Sequence, residues 1–363
     1  MIIVFSVAAA VTAGLIILVS PLARRIGLVD HPGGRKQHCR ATPLTGGIAI
    51  FCAFMLLVLT LDVPLGQWRS FFLASALVFI IGLLDDFQET PPSARFIAQA
   101  GAALIIVLWG GARLEHLGFL VGGGVEIELG WLAVPFSIFC VVGVINATNM
   151  MDGLDGLAGG VLLLFFSALL LVTVVGGRFE DALILAVICG VLAGFLLFNF
   201  RFREHRPASV FLGDAGALFL GLTAAWFLVR LTQEPVAQLR PITAVWLFGL
   251  PIMDTVAIMV RRIRRGRSPF APDRGHFHHI LLFAGFSVRT TVLIMLGISL
   301  LLTVIGLGGE WLGIPESYMF YGFLLLFTMY FRGMNRAWKL MKTFRGADDH
   351  RQVPERAGGG ASV

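Results

Sequence analysis

Long apolar runs, separated by short polar clusters, make up most of this chain. A run of roughly 20 apolar residues can cross a bilayer core of about 30 Å as a helix, and backbone groups in lipid must be hydrogen-bonded within their own segment. The runs are too continuously apolar for the alternating strands of a membrane barrel. They lie near residues 2–22, 43–61, 68–84, 95–110, 131–146, 157–176, 181–198, 215–231, 241–260, 290–308 and 317–333. The pattern predicts an all-α polytopic membrane protein with about eleven transmembrane helices.

Composition supports this prediction, and the distribution of charge predicts how the helices are oriented in the membrane. The 363 residues are 57% hydrophobic and 14% charged, which excludes a soluble globular protein and a disordered one. Arg24 and Arg25 follow the first run and no basic residue precedes it, so we expect an external N-terminus, a cytoplasmic C-terminus and no cleaved signal peptide. Alternating crossings place all but five of the 28 Lys and Arg residues inside; the five are Arg69, Arg113, Arg178, Arg230 and Arg240. The net charge of +6 therefore reflects topology and does not indicate a nucleic-acid partner.

The domain organisation is simple. Residues 1–345 are expected to form a single transmembrane domain, and the polar, glycine-rich stretch 346–363 a disordered cytoplasmic tail. In the longest outer loop, Gly122–Gly124 precede the alternating residues Val125–Leu129, which indicates a small external β-hairpin. The sequence shows no internal repeat of the kind that builds many transporters.

Polar clusters in the gaps between runs all fall on the predicted inner side. Carboxylates, amides, histidines and arginines gathered at one face of a membrane protein indicate an enzyme that acts on anionic substrates. The clusters are Asp30–Gly47, Asp85–Glu89, Asn146–Asp155, Arg201–Asp214 and Arg261–His279.

Two of the clusters carry carboxylates at the ends of apolar runs. Asp85 and Asp86 are adjacent and repel each other, unless a divalent cation or a proton lies between them or both are well hydrated. Oxygen ligands of this kind suit Mg²⁺, which binds through one or two carboxylates plus substrate phosphates. Asp214, in Phe-Leu-Gly-Asp-Ala-Gly, is either a helix-capping carboxylate or a metal ligand.

The third cluster is more specific, because polar residues recur at 146, 149, 152 and 155. Each step of three rotates about 300° in an α-helix, so the four share a face only if the helix breaks. Gly153 and Gly156 supply such a break. We therefore expect Asn149, Asp152 and Asp155 to lie around a turn and to face one pocket. Helix capping explains one or two of these residues, but not four.

The remaining clusters are basic. Arg274 beside His276, His278 and His279 fits a phosphate clamp. A zinc site is the alternative, although the four cysteines show no Cys-x-x-Cys spacing. In the first inner loop, Lys36 and His38 can hold a lipid phosphate at the interface.

One more carboxylate lies inside an apolar run. Asp254 follows Pro251 within the ninth run. It is either a site residue or the ion-pair partner of Arg261 or Arg262.

Taken in order, these motifs resemble the polyprenyl-phosphate N-acetylhexosamine-1-phosphate transferase superfamily over residues 20–280. Asp30-His-Pro-Gly-Gly-Arg-Lys-Gln-His is similar to its first cytoplasmic loop, and Asp85-Asp86 to its acidic pair, with Glu89 in place of the usual third aspartate. Asn146–Leu157 is similar to Asn-x-x-Asn-x-x-Asp-Gly-x-Asp-Gly-Leu, and Phe211–Gly216 to Phe-x-Gly-Asp-x-Gly. The His-Phe-His-His stretch at His276 resembles the bacterial branch that uses UDP-GlcNAc.

The resemblance implies an activity and roles for residues. The enzyme would transfer GlcNAc-1-phosphate from a UDP-sugar to undecaprenyl phosphate, releasing UMP, as the first membrane step of an envelope glycan such as lipopolysaccharide O-antigen. It would use Mg²⁺, or Mn²⁺ in its place, at the cytoplasmic face of a bacterial inner membrane, and both monomer and homodimer stay open. The implied metal ligands are Asp214, Asp86 and Asp152; the catalytic residues Asp85, Asp86, Asp152, His278 and His279; and the substrate-binding residues Asn149, Asp155, Phe211, Gly213, Arg274, His276, Lys36 and His38.

Several alternatives stay open on the sequence alone. Another UDP-HexNAc, or phospho-MurNAc-pentapeptide, is a different donor for the same reaction. A CDP-alcohol phosphotransferase expects an Arg and later carboxylates that Asp155-Gly-Leu-Ala lacks. An ion-coupled transporter expects carboxylates near the bilayer midplane. A non-enzymatic scaffold leaves the polar clusters without a purpose.

Overall fold

The computed structural model describes residues 1–31, 41–61, 64–266, 268 and 275–349. Within them the chain is mostly helical. The helices are α1 Ile2–Ile26, α2 Gly46–Val58, α3 Arg69–Phe87, α4 Pro92–Leu104, α5 Ala133–Met151, α6 Leu157–Val175, α7 Phe179–Asn199, α8 Gly213–Arg230, α9 Pro241–Leu247, α10 Gly249–Ile263, α11 Phe277–Phe283, α12 Val288–Trp311 and α13 Glu316–Asp349. Two short antiparallel strands, β1 Val29–Asp30 and β2 Thr42–Pro43, flank the first of the loops predicted to be inside.

The apolar runs predicted from the sequence coincide with these helices. Within the described residues, seven helices are long and apolar enough to cross a membrane, and α9 with α10 adds an eighth if the pair is one span. The chain is therefore an all-α, multi-pass membrane protein. Since α2 has only 13 residues, the count of eleven spans and their orientation stay predictions.

The composition of the run 241–260 suggested one straight helix, but the structure has two helices there, α9 and α10. The run bends by 82° between α9 and α10, around Phe248. Gly249 and Pro251 immediately after this point are the residues that permit such a break. The bend gives α10 its own direction, and α10 carries Asp254 on a buried face.

The predicted external hairpin is smaller than expected. In the described chain it consists of one bridge, between His116 and Glu128. The backbone N–H of Leu117 donates to the carbonyl of Ile127 at 2.8 Å, and that of Ile127 to Gly118 at 3.0 Å. At the other terminus, α13 extends to Asp349, three residues beyond the expected start of the tail at 346. Residues 350–363 lie outside the described residues.

Helix α8 lies at the centre of the bundle and packs against α2, α3 and α5. Its residues from Ala215 to Phe227 are all buried. Glycines permit the closest of these contacts: a Cβ on Gly82 of α3 would come within 2.6 Å of the Cα of Ala215. The start of α8 is thereby held against the end of α3, next to Asp85 and Asp86.

Candidate active site

The polar clusters predicted from the sequence meet at one end of the helix bundle. The second and third contact the fourth through hydrogen bonds to Asp214, Asp155 and their neighbours. The first contacts the fourth where the N–H groups of Gly46 and Gly47 donate to the carbonyls of Phe211 and Leu212, at 3.0 and 2.8 Å. The fifth contacts the third where His278 lies against Gly153.

Asp86 holds the first turn of α8. Its Oδ1 accepts a hydrogen bond from the backbone N–H of Asp214 at 2.7 Å, and its Oδ2 from that of Ala215 at 3.1 Å. These N–H groups have no partner within their own helix, and the helix dipole favours a negative charge there. Gly213 has φ +74°, and a Cβ on it would lie 2.6 Å from Oδ2 of Asp86. Gly213 is thus required both for its backbone conformation and for the space it leaves.

Asp85 is oriented by two residues that the sequence analysis missed. Its Oδ1 accepts hydrogen bonds from the backbone N–H and the hydroxyl of Thr90, both at 2.6 Å. Its Oδ2 pairs with Nη1 of Arg95 at 2.7 Å, and the same nitrogen lies 3.9 Å from Oδ1 of Asp214. Both residues follow the acidic pair closely, Thr90 just before α4 and Arg95 within it, and that position was the only sequence signal for them.

Of the four polar residues at 146, 149, 152 and 155, two lie beside Asp214. Nδ2 of Asn149 donates to Oδ1 of Asp214 at 2.8 Å. Asp152 ends α5 and lies close enough to Asp214 and Asp155 to interact with both carboxylates. Burial, with the two neighbouring negative charges, raises the pKa of Asp152 to about 7. Asn149 and Asp152 therefore both face Asp214 of α8, as the break after α5 predicted.

Asn146 and Asp155 form hydrogen bonds with other parts of the chain. Nδ2 of Asn146 donates to Oε1 of Gln99 on α4 at 2.7 Å. Oδ2 of Asp155 accepts from Nε of Arg201 at 2.6 Å and from the N–H of Ala208 at 3.0 Å. Asp155 thus fastens the turn after α5 to the loop that leads to α8.

Asn199, a residue the sequence did not single out, makes a similar connection. It is buried at the end of α7, accepts from the N–H of Gly156 at 2.7 Å and donates to the carbonyl of Val210 at 2.9 Å. Phe211 is held through its backbone, whose N–H donates to the carbonyl of Pro43 at 2.9 Å. The two contacts fix the peptide group that joins Val210 to Phe211.

We call residues 275–279 the histidine segment. This segment closes the site on the side of α10 and α13. His276 and His278 stack with ring centroids 5.5 Å apart, and His279 lies 4.2 Å from His278. Burial is the main cause that lowers the pKa of His278 to about 3, and the neighbouring histidines add to it. Asp254 pairs with His276 at 2.8 Å, a partner that the sequence did not suggest, and a pairing with Arg261 or Arg262 stays a prediction. Lys36, His38 and Arg274 lie outside the described residues.

The chemistry of these side chains fits a magnesium ion. Asp85, Asp86, Asp152 and Asp214 offer carboxylate oxygens within one region, where Arg95 contacts Asp85. In the described chain no group of three or more histidine, cysteine or acidic side chains is arranged to hold a metal by itself. Mg²⁺ does not require one, since it binds through one or two carboxylates together with waters and substrate phosphates.

Comparison with known proteins agrees with this geometry. The sequence matches glycosyl transferase family 4 over residues 68–232, a region that contains all four aspartates. The undecaprenyl-phosphate alpha-N-acetylglucosaminyl 1-phosphate transferase of Yersinia pestis is 36% identical to this chain over 322 residues, which is 88% of each protein. This chain belongs to glycosyl transferase family 4. Proteins of the same description are 34% identical in Escherichia coli K12, over 88% of this chain and 87% of theirs, and 35% identical in Haemophilus influenzae, over 91% and 93%.

Membership of family 4 agrees with the superfamily named from the motifs. The matched region contains all of α3 to α8, and therefore Asp85, Asp86, Asn149, Asp152 and Asp214. The histidine segment and its supports on α10 and α13 lie beyond the matched region.

Proposed function

We propose that this protein transfers N-acetylglucosamine 1-phosphate from UDP-GlcNAc to undecaprenyl phosphate and releases UMP. The observation that carries the proposal is the convergence of Asp85, Asp86, Asp152 and Asp214 at the ends of three helices that belong to a membrane-spanning bundle. We call these four aspartates the acidic centre. Their position at the end of a membrane-spanning bundle suits a metal-dependent reaction between a lipid phosphate and a water-soluble diphosphate. The names and identities of the relatives support the same substrates.

The reaction makes one phosphorus–oxygen bond and breaks another. An oxygen of the lipid phosphate attacks the phosphorus that bears the sugar, and the bond from that phosphorus to the bridging oxygen breaks, so the bridging oxygen leaves with UMP. The second pKa of a phosphate monoester is about 6, so the lipid phosphate is mostly ionised at pH 7 and needs little help from a base. Because both reactants are anions, the main requirement is to offset their charge and align them.

Each residue of the site has a role in that alignment. Mg²⁺, or Mn²⁺ in its place, would be held by Asp214 with Asp86 or Asp152, and when bound it supplies the positive charge that the diphosphate requires. Asp86 also holds the first turn of α8, and Asn149 fixes the rotamer of Asp214. Asp85, oriented by Thr90 and Arg95, orients the lipid phosphate.

The substrate side is formed by the neighbouring loops. Asp155, Phe211 and Gly213 would line the uridine end, while His276, His278, His279 and Arg274 would contact the sugar and diphosphate. Lys36 and His38 would hold the lipid phosphate. We place this site at the cytoplasmic face of a bacterial inner membrane, because the predicted inner side carries most of the Lys and Arg residues. An ion-coupled transporter is less well supported, since the buried Asp254 already accepts hydrogen bonds from protein groups.

The direct test uses purified full-length protein with Mg²⁺, undecaprenyl phosphate and a panel of UDP-sugars. We expect UMP release with UDP-GlcNAc that depends on both the lipid and the metal, and its loss in Asp214→Asn. Preference for UDP-MurNAc-pentapeptide or another UDP-HexNAc would move the protein to a different donor specificity. Release of UDP or inorganic phosphate instead of UMP would contradict phosphosugar transfer.

A further inference from the structure

Asp254 of α10 is buried, and its carboxylate is the hub of a hydrogen-bonded cluster. Its Oδ2 lies 2.8 Å from Nδ1 of His276. Its Oδ1 accepts from the backbone N–H of Phe277 at 3.0 Å and from the hydroxyl of Tyr330 at 2.8 Å. An ionised carboxylate has no proton to donate, so Nδ1 of His276 must carry the hydrogen of this contact. In a neutral ring the other nitrogen, Nε2, is then the acceptor.

Helices α10 and α13, which carry Asp254 and Tyr330, also fix the backbone beside His276. Nη2 of Arg261 donates to the carbonyl of Gly275 at 2.8 Å, and Nε1 of Trp338 to the same oxygen at 3.3 Å. The guanidinium of Arg261 also lies 5.6 Å from the ring centre of Trp338. Helices α10 and α13 therefore hold both the ring and the main chain at the start of the histidine segment.

From His276, a series of contacts leads to the acidic centre. The ring of His276 stacks on that of His278, with an angle of 8° between their planes. His278 lies against Gly153, where an added Cβ would come within 2.8 Å of its Nε2. Gly153 directly follows Asp152. The orientation of His276 thus bears on the position of a second histidine beside Asp152.

We propose that Asp254 is the positioning residue of the histidine segment. It fixes His276 as the Nδ1–H tautomer, which leaves Nε2 to accept a hydrogen bond from a donor group of the nucleotide sugar, namely a hydroxyl or the acetamido N–H. The inference rests on the proposed function for the identity of the ligand. Tyr330 holds the carboxylate in the required rotamer. In this arrangement His276 recognises the sugar and not the phosphate oxygens, because those oxygens accept hydrogen bonds and do not donate them.

The Asp254→Asn variant is a sharp test of the His276 tautomer, because an amide has only one acceptor oxygen. The N–H of Phe277 can only donate, so the amide oxygen has to remain on that side. The NH₂ group then faces Nδ1 of His276, which must become an acceptor, and the ring proton moves to Nε2. The substitution therefore inverts the tautomer while keeping the side-chain volume. Tyr330→Phe, by contrast, removes one donor and leaves the tautomer unchanged.

The test combines spectroscopy with kinetics on full-length protein in lipid nanodiscs. In spectra of ¹⁵N-histidine-labelled protein, assigned through His276→Gln, we expect a protonated Nδ1 in the wild type and a protonated Nε2 in Asp254→Asn. We expect kcat/KM for UDP-GlcNAc to fall by about 10- to 100-fold, as when other partners that orient a functional histidine are removed. KM for undecaprenyl phosphate should change by less than about twofold, and Tyr330→Phe should cost about fivefold in kcat/KM, the worth of one hydrogen bond.

A matched control is Asp181→Asn, the same change in a buried carboxylate of α7 that contacts Arg178 and Arg230 instead of a histidine. It should preserve the His276 tautomer and kcat/KM per folded molecule. A wild-type His276 protonated on Nε2 would overturn the proposal, and so would an Asp254→Asn variant with wild-type tautomer and kinetics.

The two proposals fail separately. If the wild type released no UMP from any UDP-sugar but showed the expected tautomers, the positioning role would stand and the proposed function would fall. Should Asp254→Asn not fold, the wild-type spectrum alone decides.

Discussion

Nδ2 of Asn149 donates a hydrogen bond of 2.8 Å to Oδ1 of Asp214, which joins the end of α5 to the first turn of α8 across 65 residues of sequence. The bond takes one lone pair of Asp214, whose carboxyl group also contacts that of Asp85. It also fixes the direction in which the carboxyl group of Asp214 points. Asn149 therefore determines how Asp214 is presented to the acidic centre.

We expect Asn149→Asp to impair transfer more than Asn149→Ala. The alanine variant loses the orienting bond, and we expect kcat/KM to fall by about 10- to 100-fold, as for other residues that orient a ligand. The aspartate variant places a second negative charge against Asp214, which costs further because like charges repel. UMP release per folded molecule measures both. Equal activity of the two variants would show that the amide does not act through Asp214.

Gly213→Ala should disrupt the start of α8. The residue has φ +74°, and its new methyl group would meet the carboxylate of Asp86. Backbone strain of this kind costs about 1–3 kcal/mol, and displacement of Asp86 should abolish most of the activity. Gly143→Ala on α5 is the control, since an added Cβ there would meet nothing within 4 Å beyond the adjacent residues and backbone of its own helix. Thermal unfolding followed together with UMP release should show a loss in the first variant and none in the second.

Asp85→Asn should not recover activity at high pH. Its partners Thr90 and Arg95 hold Asp85 as an orienting group, and the lipid phosphate ionises with a pKa of about 6. The reaction therefore needs little proton removal above neutral pH, and the pH profile of the variant should run parallel to that of the wild type at a lower rate. A variant whose rate rose towards the wild-type value with pH would instead identify Asp85 as the base.

Asp181→Ala should destabilise the end of the bundle away from the acidic centre. Asp181 is fully buried and pairs with Nε of Arg230 at 2.8 Å and with Nη2 of Arg178 at 3.2 Å. Removal of one partner of a buried ion pair costs about 3–5 kcal/mol. We expect a clear fall in the thermal midpoint, with kcat of the remaining folded protein unchanged. A normal midpoint would mean that solvent reaches Arg230 once the carboxylate is gone.

Acidification should weaken the fold through His278. Its pKa is lowered to about 3 in the folded protein, whereas an unfolded histidine titrates near 6.5. The unfolded chain therefore binds a proton first, so stability is full above about pH 6.5 and declines as the pH falls below it. His278→Gln should show a smaller decline in thermal midpoint between pH 7 and 5 than the wild type. An identical decline would assign the effect to other groups.

The helices and the composition of the site could be predicted from sequence, because both leave local signals. Apolar runs of sufficient length coincide with helices, and the spacing of Asn149 and Asp152 around a glycine break predicted the turn after α5. The partners of Asn146 and Asp254 left no such signal. Gln99 lies 47 residues from Asn146, and Tyr330 lies 76 residues from Asp254. Which side chains meet across such distances depends on how the helices pack, and composition does not record that.

The bend between α9 and α10 shows the same limit. An apolar run of about 20 residues predicts one span, although Gly249 and Pro251 mark a place where the helix can break. The angle of 82° follows from how α10 packs against α5, α12 and α13. Because of that angle, Asp254 reaches His276.

Helix α13 lies more than 80 residues beyond the segment shared with glycosyl transferase family 4, yet its Tyr330 and Trp338 contact the carboxylate and the carbonyl that anchor the histidine segment. A shortened protein that kept every recognisable motif but ended before this helix would carry a complete set of signature residues and still lack one wall of the support behind its histidines. The segment matched by the family and the part of the chain that supports the histidines therefore differ in extent.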